Sequence, residues 1–281
     1  MQTTATNPPT YRRGIRMRLD RRPIRIWALT AIVVLLAGPQ ADADQWGHKL
    51  SDLPTQFIFG YGSLIDGGSR EKTAGAPLDA IPVRVSADFG YIRAWVDRCP
   101  CGFTALGLRR RRAGEAPMTI NGVIYPVDSS SLPAFDLREA KYRRVLVPRV
   151  MIEAISWQGL PETGNVWAYI PDGPGGEPGV DLPDPSARFP IVQSYVDLVL
   201  HGALRYGSDF ATEFIETTAD WSVFWLNDRE IPRRPWVHST DYQVIDSLLS
   251  KVAPASDHLA DRLLSEEFTA RFLPSLASPN H

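Results

Sequence analysis

Two short stretches of this chain carry residues that could do chemistry together. The first is Phe57-Ile58-Phe59-Gly60-Tyr61-Gly62-Ser63-Leu64-Ile65, an apolar run that empties into Gly-x-Gly. A short apolar run ended by glycines reads as a buried strand entering a tight turn. With no side chains at Gly60 and Gly62, successive backbone N–H groups can converge on one point, a concavity suited to a carboxylate or a developing oxyanion. The same residues also fit an ordinary strand-to-loop turn. No G-K-[ST] follows, and Ile65 stands where a dinucleotide-binding G-x-G-x-x-G needs its third glycine, which argues against a phosphate loop.

The second stretch is Phe135-Asp136-Leu137-Arg138-Glu139-Ala140-Lys141-Tyr142. Ser130 or Ser131 as N-cap and Pro133 in the first turn predict a short helix running through Tyr142. On such a helix Phe135, four residues before Glu139, and Tyr142, three after it, put the carboxylate on an aromatic face. Desolvation there lifts a Glu above its reference value of about 4.3, the direction a proton acceptor near neutral pH requires. Arg138, Lys141, Arg143 and Arg144 pull the other way, and most of them are expected to project off that face. The alternative for Glu139 is a surface ion pair with one of these bases.

Together the two stretches resemble the gamma-glutamylcyclotransferase-like family, whose members carry a Y-G-S-[NL] loop and, some tens of residues on, a D-x-x-E-G motif followed by Tyr. Here these are Tyr61-Gly62-Ser63-Leu64, and Asp136-Leu137-Arg138-Glu139 with Tyr142; Ala140 stands where the family carries Gly. Gly122-Val123-Ile124-Tyr125-Pro126-Val127 resembles the family strand before the acidic motif, and Gln193-Ser194-Tyr195 through Gly202-Ala203 its later helix. The resemblance spans roughly residues 55 to 217. It implies a cofactor-free enzyme that cleaves a gamma-glutamyl amide by intramolecular attack of the alpha-amine, releasing 5-oxoproline. Glu139 would be the general acid/base, and Tyr61, Gly62, Ser63, Leu64 and Tyr142 the substrate-binding residues. The implied partner is a small gamma-glutamyl molecule, glutathione-like or a gamma-glutamyl amine. The second reading is a noncatalytic module that binds such an anionic ligand on the same scaffold.

Competing chemistries have little support. His48, His201, His238, His258 and His281 show no zinc-ligand spacing, so neither metal nor cofactor is expected. Ser63 lies in G-Y-G-S-L rather than a G-x-S-x-G elbow, and hydrolysis or acyl transfer through it would need a base that the nearby sequence lacks. Cys99-Pro100-Cys101 reads as two loop thiols, with a strained disulfide as the alternative.

The amino terminus points to export. Arg21, Arg22 and Arg25 precede an apolar run from Ile26 to Gly38, and Ala41-Asp42-Ala43 offers small residues for cleavage, the pattern of a signal peptide over 1–43. The run is shorter than the ~20 residues of a comfortable bilayer span, so no stable membrane span is expected; anchoring by 26–38 is the alternative. Met17 is an alternative start, and Arg21-Arg22 a weak twin-arginine signal. Cleavage after Ala43 leaves 23 basic residues against 30 acidic ones, which disfavours nucleic acid as a partner. Arg109 to Arg112, the one basic run, reads as a solvated hairpin tip. Oligomeric state is not encoded in any of these features.

The elements that must position the site are β-rich at the front: Ile81 to Val85, Gly90 to Trp95, Phe103 to Leu108, Gly122 to Val127, Val145 to Ala154 and Asn165 to Ile170. Pro171 to Pro190 reads as a long surface loop. Ile191, Tyr195, Val199 and Ala203 form the stripe of a helix that packs on the sheet. Trp221, Trp225 and Trp236 are expected in the core. Thr240-Asp241-Tyr242-Gln243 reads as a capping box before a helix with Val244, Ile245, Leu248 and Leu249 on its apolar side, and a last helix is expected from His258 to Phe272. The predicted class is α+β, a mixed β-barrel with flanking helices over 52–217, a helical extension over 218–273 packed on it, and a disordered tail at 274–281.

Overall fold

The computed structural model describes residues 56–128, 132–232 and 241–274. The segment expected to be a signal peptide, Ser130, Ser131, Trp236, Thr240 and the tail beyond Pro274 lie outside them.

Strand β1 (Gln56–Gly60) organises the front of the chain. Phe57 and Phe59 face one apolar cluster with Val83, Ile124, Val166 and Ile170, while Ile58 faces another with Val123, Tyr125, Phe135 and Tyr169. A strand buried on both faces must be apolar at every position, which is why Phe-Ile-Phe shows no alternation. It pairs antiparallel with β5 (Ile120–Val127) and parallel with β8 (Asn165–Pro171). β2 (Ile81–Val85), β6 (Tyr142–Val147) and β7 (Ile152–Ala154) complete a six-stranded sheet in the order β6-β8-β1-β5-β2-β7. The second sheet has the order β10-β3-β4-β9-β11-β12, with β3 (Tyr91–Cys99) and β4 (Phe103–Arg110) as its long hairpin. Its other strands are β9 (Ile191–Val192), β10 (Thr218–Ala219), β11 (Trp225–Asn227) and β12 (Arg262–Leu264). The α+β class with mixed strand directions and flanking helices is therefore present, its strands divided between two sheets.

Helix α1 (Gly67–Ala74) follows the Gly-x-Gly bend, and α2 (Leu132–Arg138) precedes β6. Helix α3 (Gln193–Leu204) is buried almost all round, and its N-terminal Ser194 N–H and hydroxyl both donate to the Asp228 carboxylate at 2.7 Å. That carboxylate satisfies a first-turn amide which the helix's own residues do not cap. α4 (Ser208–Glu216) follows. Four elements then tie down the C-terminal part: α5 (Tyr242–Leu249), α6 (Ala255–His258), β12 and α7 (Ser265–Phe272). Arg229 clamps Asp197 of α3 at 2.7 and 2.8 Å and Asp246 of α5 at 2.8 and 2.9 Å, and Arg262 joins Asp246 at 2.6 Å. Bidentate pairs of this kind fix orientation as well as distance. Trp221 and Trp225 are buried in the core, as expected.

Several local expectations are corrected. The helix expected from His258 to Phe272 breaks, because Arg262–Leu264 pair in parallel with β11. On α5, Ile245 and Leu249 are fully buried, but Val244 is exposed. The stretch Val145 to Ala154 is two strands separated by a 3-10 turn at Arg149–Met151. Cys99 and Cys101 form a disulfide at the β3–β4 hairpin. The basic run is solvated at Arg110, Arg111 and Arg112 but not at Arg109, which is buried, its guanidinium holding Glu115 at 2.6 and 2.7 Å and Asp220 at 2.6 and 3.1 Å. Those charge-assisted bonds hold the Glu115 carboxyl down to about 2.

Two tests follow from the buried cations. Arg93, fully buried, bonds Thr218 Oγ1, Asn121 O and Oδ1, Phe214 O and Thr217 Oγ1, with its guanidinium 3.7 Å from the centre of the Phe214 ring. Arg93→Ala orphans several buried acceptors at once and is expected to lower unfolding stability by about 3 kcal/mol or more, read from urea midpoints. For Glu115, the folded carboxyl titrates near 2 against an ordinary 4.5. Its stabilising contribution is complete above the ordinary value and is lost as pH falls through the folded one. Glu115→Gln should therefore be less stable than wild type at neutral pH, and the gap should narrow as melting is followed from pH 4.5 towards 2.

Candidate active site

The Gly-x-Gly bend is fixed from several directions. After Gly60, Ser63–Ile65 form a single 3-10 turn in which the Ile65 N–H bonds Gly62 C=O at 2.9 Å. Because this is the first bond of the turn, the amides of Ser63 and Leu64 have no acceptor within it. Asp66 then caps α1, its Oδ1 accepting from Ser69 N–H at 2.8 Å. Buried Arg70 reaches back to the carbonyls of Leu64 at 3.1 Å and Ile65 at 2.6 Å. Neither Gly60 nor Gly62 takes a left-handed conformation. Space at position 62 is limited but not closed: a Cβ there would lie 3.3 Å from the Tyr195 hydroxyl and 3.5 Å from Leu106.

Glu139 is not mid-helix. α2 ends at Arg138, the Glu139 N–H still bonds Phe135 C=O at 2.9 Å, and Tyr142 N–H closes a turn onto Glu139 C=O at 2.8 Å before starting β6. The alternation Tyr142-Arg143-Arg144-Val145-Leu146-Val147 pairs along β8 and overrides helix continuation. The outcome keeps the carboxylate beside Tyr142 by a different route. Phe135 lies in the core, 5.8 Å from Tyr125, and Tyr142 swings in from the strand.

The bend and the acid meet. One chamber of about 370 Å³, counting its open mouth, is lined by Phe59, Gly60, Tyr61, Gly62, Ser63, Leu64, Leu106, Glu139, Tyr142, Tyr169 and Tyr195. All six residues singled out from the sequence are in that set. The Glu139 side chain is 14% exposed and pairs through Oε1 with Arg138 Nε at 3.0 Å. Most of the bases were expected to project away, and Arg143 and Arg144 hold Asp172 and Asp136 instead of Glu139. Arg138 spans Glu139, Ser63 Oγ at 3.3 Å, Ser69 Oγ at 3.2 Å and Thr73 Oγ1. The α2–β6 turn is thereby tied to α1.

The chamber is walled by phenols next to carboxylates. Tyr61 OH donates to Tyr169 C=O at 2.5 Å, and Tyr142 OH donates to Asp97 Oδ2 at 2.5 Å. Burial first, then the charges of Glu139, Asp97 and Tyr195, push the Tyr61 phenol well above its ordinary value. Burial, then Asp97, Tyr61 and Glu139, does the same to Tyr142. Burial raises the Asp97 carboxyl, opposed by the Tyr142 hydrogen bond and Lys141. These phenols stay protonated, so each keeps its hydrogen for the partner named.

Asp97, Tyr169 and Arg138 were not identified as site residues from the sequence. Asp97 lies beyond Trp95, where the strand was expected to end, and β3 in fact runs on through it to Cys99. Tyr169 reads as strand alternation. Arg138 was read as a surface base. Tyr195 was seen only as a core-facing helix residue, and its hydroxyl end is what reaches the chamber.

No family model matches the chain, and no curated protein matches it significantly. Among solved structures, the chain is similar to a gamma-glutamyl cyclotransferase at 12% identity, with 68% of this chain and 98% of that one covered and a TM-score of 0.39. It is also similar to a yeast gamma-glutamyl cyclotransferase specific to glutathione, at 13% identity over 79% and 99% of the two chains, TM-score 0.28. A protein of Arabidopsis thaliana matches at 22% identity and a TM-score of 0.31 over 43% of this chain, which spans 64% of that relative's length. At these values the activity has to be read from the site itself.

Helix α3 lies against the bend with no room between them: a Cβ on Gly202 would sit 2.6 Å from Asp66 N and 2.7 Å from Asp66 Cα. Gly202→Ala should force the helix and the bend apart, at about 1–3 kcal/mol in unfolding stability. Any ligand that fits the chamber should bind the variant more weakly, which calorimetry would read directly.

Proposed function

We propose that the chain is a gamma-glutamyl cyclotransferase acting through Glu139, with residues 52–217 as the catalytic domain and 218–273 as an extension packed on it. The supporting observation is that Glu139 and the Tyr61–Leu64 bend line the same chamber, although 75 residues separate the neighbouring Ser63 and Arg138 in sequence. The motif resemblance adds the substrate class.

In this reading the substrate folds so that its alpha-amine approaches its own gamma-carbonyl. Glu139 takes a proton from the ammonium, and the freed amine attacks the carbonyl carbon to close the five-membered ring. Glu139 then returns the proton to the departing nitrogen as the C–N bond breaks. A second proton, shed by the ring nitrogen, leaves on the released amine, so the products are 5-oxoproline and an ammonium. The loop amides of Ser63 and Leu64 face the developing oxyanion, Ser63 adds a hydroxyl and Tyr142 lines the amine side. Holding the reacting atoms together is the larger contribution, since well-oriented intramolecular reactions reach effective molarities of about 10⁵–10⁸ M. Proton transfer contributes about 10²–10⁴-fold.

Export after cleavage near Ala43 belongs to the same proposal, and the Cys99–Cys101 disulfide is in keeping with an oxidising compartment. Among the described residues no helix is long and apolar enough to cross a membrane.

The Arg138–Glu139 ion pair supports a second reading, a binding module in which Glu139 is held rather than free to carry protons. Incubation with glutathione and a panel of gamma-glutamyl dipeptides separates the two. The enzyme reading expects 5-oxoproline from wild type and a loss of about 10²–10⁴-fold in Glu139→Gln with folding retained. Binding without 5-oxoproline would favour the module, and full turnover in Glu139→Gln would exclude this acid as the proton carrier.

A further inference from the structure

One carboxylate behind the chamber wall, Asp97, bonds the Tyr142 phenol that lines it and has no part in the reaction as written. Asp97 stands just past a β-bulge: along β3–β4, Trp95 pairs with Leu106 and Asp97 with Ala105, so Val96 is the extra residue. Side chains alternate along a strand, and one inserted residue turns everything beyond it to the other face. Unbulged, Asp97 would share the Trp95 side, which packs edge-on against Tyr195 at 5.9 Å and Trp221 at 5.1 Å. With the bulge it falls on the side of Gly107 and Val96, where a Cβ on Gly107 would lie 2.9 Å from Pro171 and 3.1 Å from Val96. Pro171 is the register partner of Tyr142. The bulge therefore aims a carboxylate at Tyr142, a strand tyrosine that lines the chamber.

The hydrogen bond it makes has a chemical consequence. A phenol has one hydrogen, and Tyr142 gives it to Asp97 at 2.5 Å, so towards the chamber its oxygen can only accept. Tyr61 has likewise given its hydrogen to Tyr169 C=O at 2.5 Å. With the Glu139 carboxylate beside them, this wall is rich in acceptors. An ammonium, with three N–H donors and a positive charge, is the group that matches it.

The geometry points to Asp97 as a positioning residue that fixes Tyr142 as a hydrogen-bond acceptor for the alpha-ammonium of the substrate, so that the chamber selects amine-bearing ligands over their des-amino counterparts. This rests on the function proposed above, and it names how that site recognises its substrate.

The test uses two non-reacting probes that differ only in the amine, L-glutamate and glutarate, titrated by calorimetry into the full chain. Wild type should prefer glutamate. Asp97→Ala should weaken glutamate about tenfold while moving glutarate less than about twofold, the size expected for one hydrogen bond to a charged group. Asp97→Asn, which keeps an acceptor for the phenol, should recover most of the loss. Tyr142→Phe should reproduce it, and the double variant should be no worse than either single one. Tyr142→Phe removes the same bond from the other side, so the test survives if Asp97→Ala does not fold. Equal losses for both probes, additive losses in the double variant, or a wild type that binds glutarate as well as glutamate would overturn the assignment. Because the readout is a binding ratio, it stays legible if no 5-oxoproline forms, and the failure of the enzyme reading is distinguishable from the failure of this one.

Discussion

Close backbone packing around the bend after β1 is the constraint on which the site depends. On one side Gly122 of β5 leaves no room for a methyl, since a Cβ there would stand 2.6 Å from Gly60 O. On the other side α3 presses Gly202 against Asp66. Between these contacts the chain has one course, and Arg70 secures it by bonding the carbonyls that leave the turn. Interiors packed this tightly transmit displacement rather than absorb it. The chamber's amide side is therefore set in part by two glycines, Gly122 and Gly202, that do not themselves line it.

Its acidic side is set differently, by polar bonds across the sequence. Glu139 sits where a short helix gives way to a strand, and Arg138 braces that turn against α1 through Ser63, Ser69 and Thr73. Asp97 and Tyr142 brace the two sheets against each other at the same point. Tyr61, Tyr142 and Tyr169 tolerate so dry a setting because each hydroxyl hydrogen has an acceptor. The arrangement joins stability to recognition: the bonds that satisfy the phenols internally also decide what they present to the chamber.

Much of the scaffold was legible in the sequence. β2, β3, β4, β5 and β8 lie where β-branched and aromatic runs bounded by turn residues placed them, and α3 follows its apolar stripe. Two of the failures share one cause. The helix expected through Tyr142 and the one expected from His258 each gave up residues to strand pairing with a distant partner, β8 in one case and β11 in the other. Arg109 looked solvated because its partners, Glu115 and Asp220, lie partly in a remote segment, and a local window shows only the run of like charge.

The sequence by itself determined which residue types were available to the site: a glycine-flanked Tyr-Gly-Ser bend, a glutamate next to an aromatic, and strands apolar enough to bury both. Local spacing suffices for these because turn chemistry and periodicity act over a few residues. Only the tertiary structure decided which groups meet and in which protonic role. Tyr61 finds its acceptor 108 residues away and Tyr142 finds Asp97 45 residues away, and that second meeting depends on one extra residue in a strand register. Register is a property of two strands together, so no local window of either one contains it.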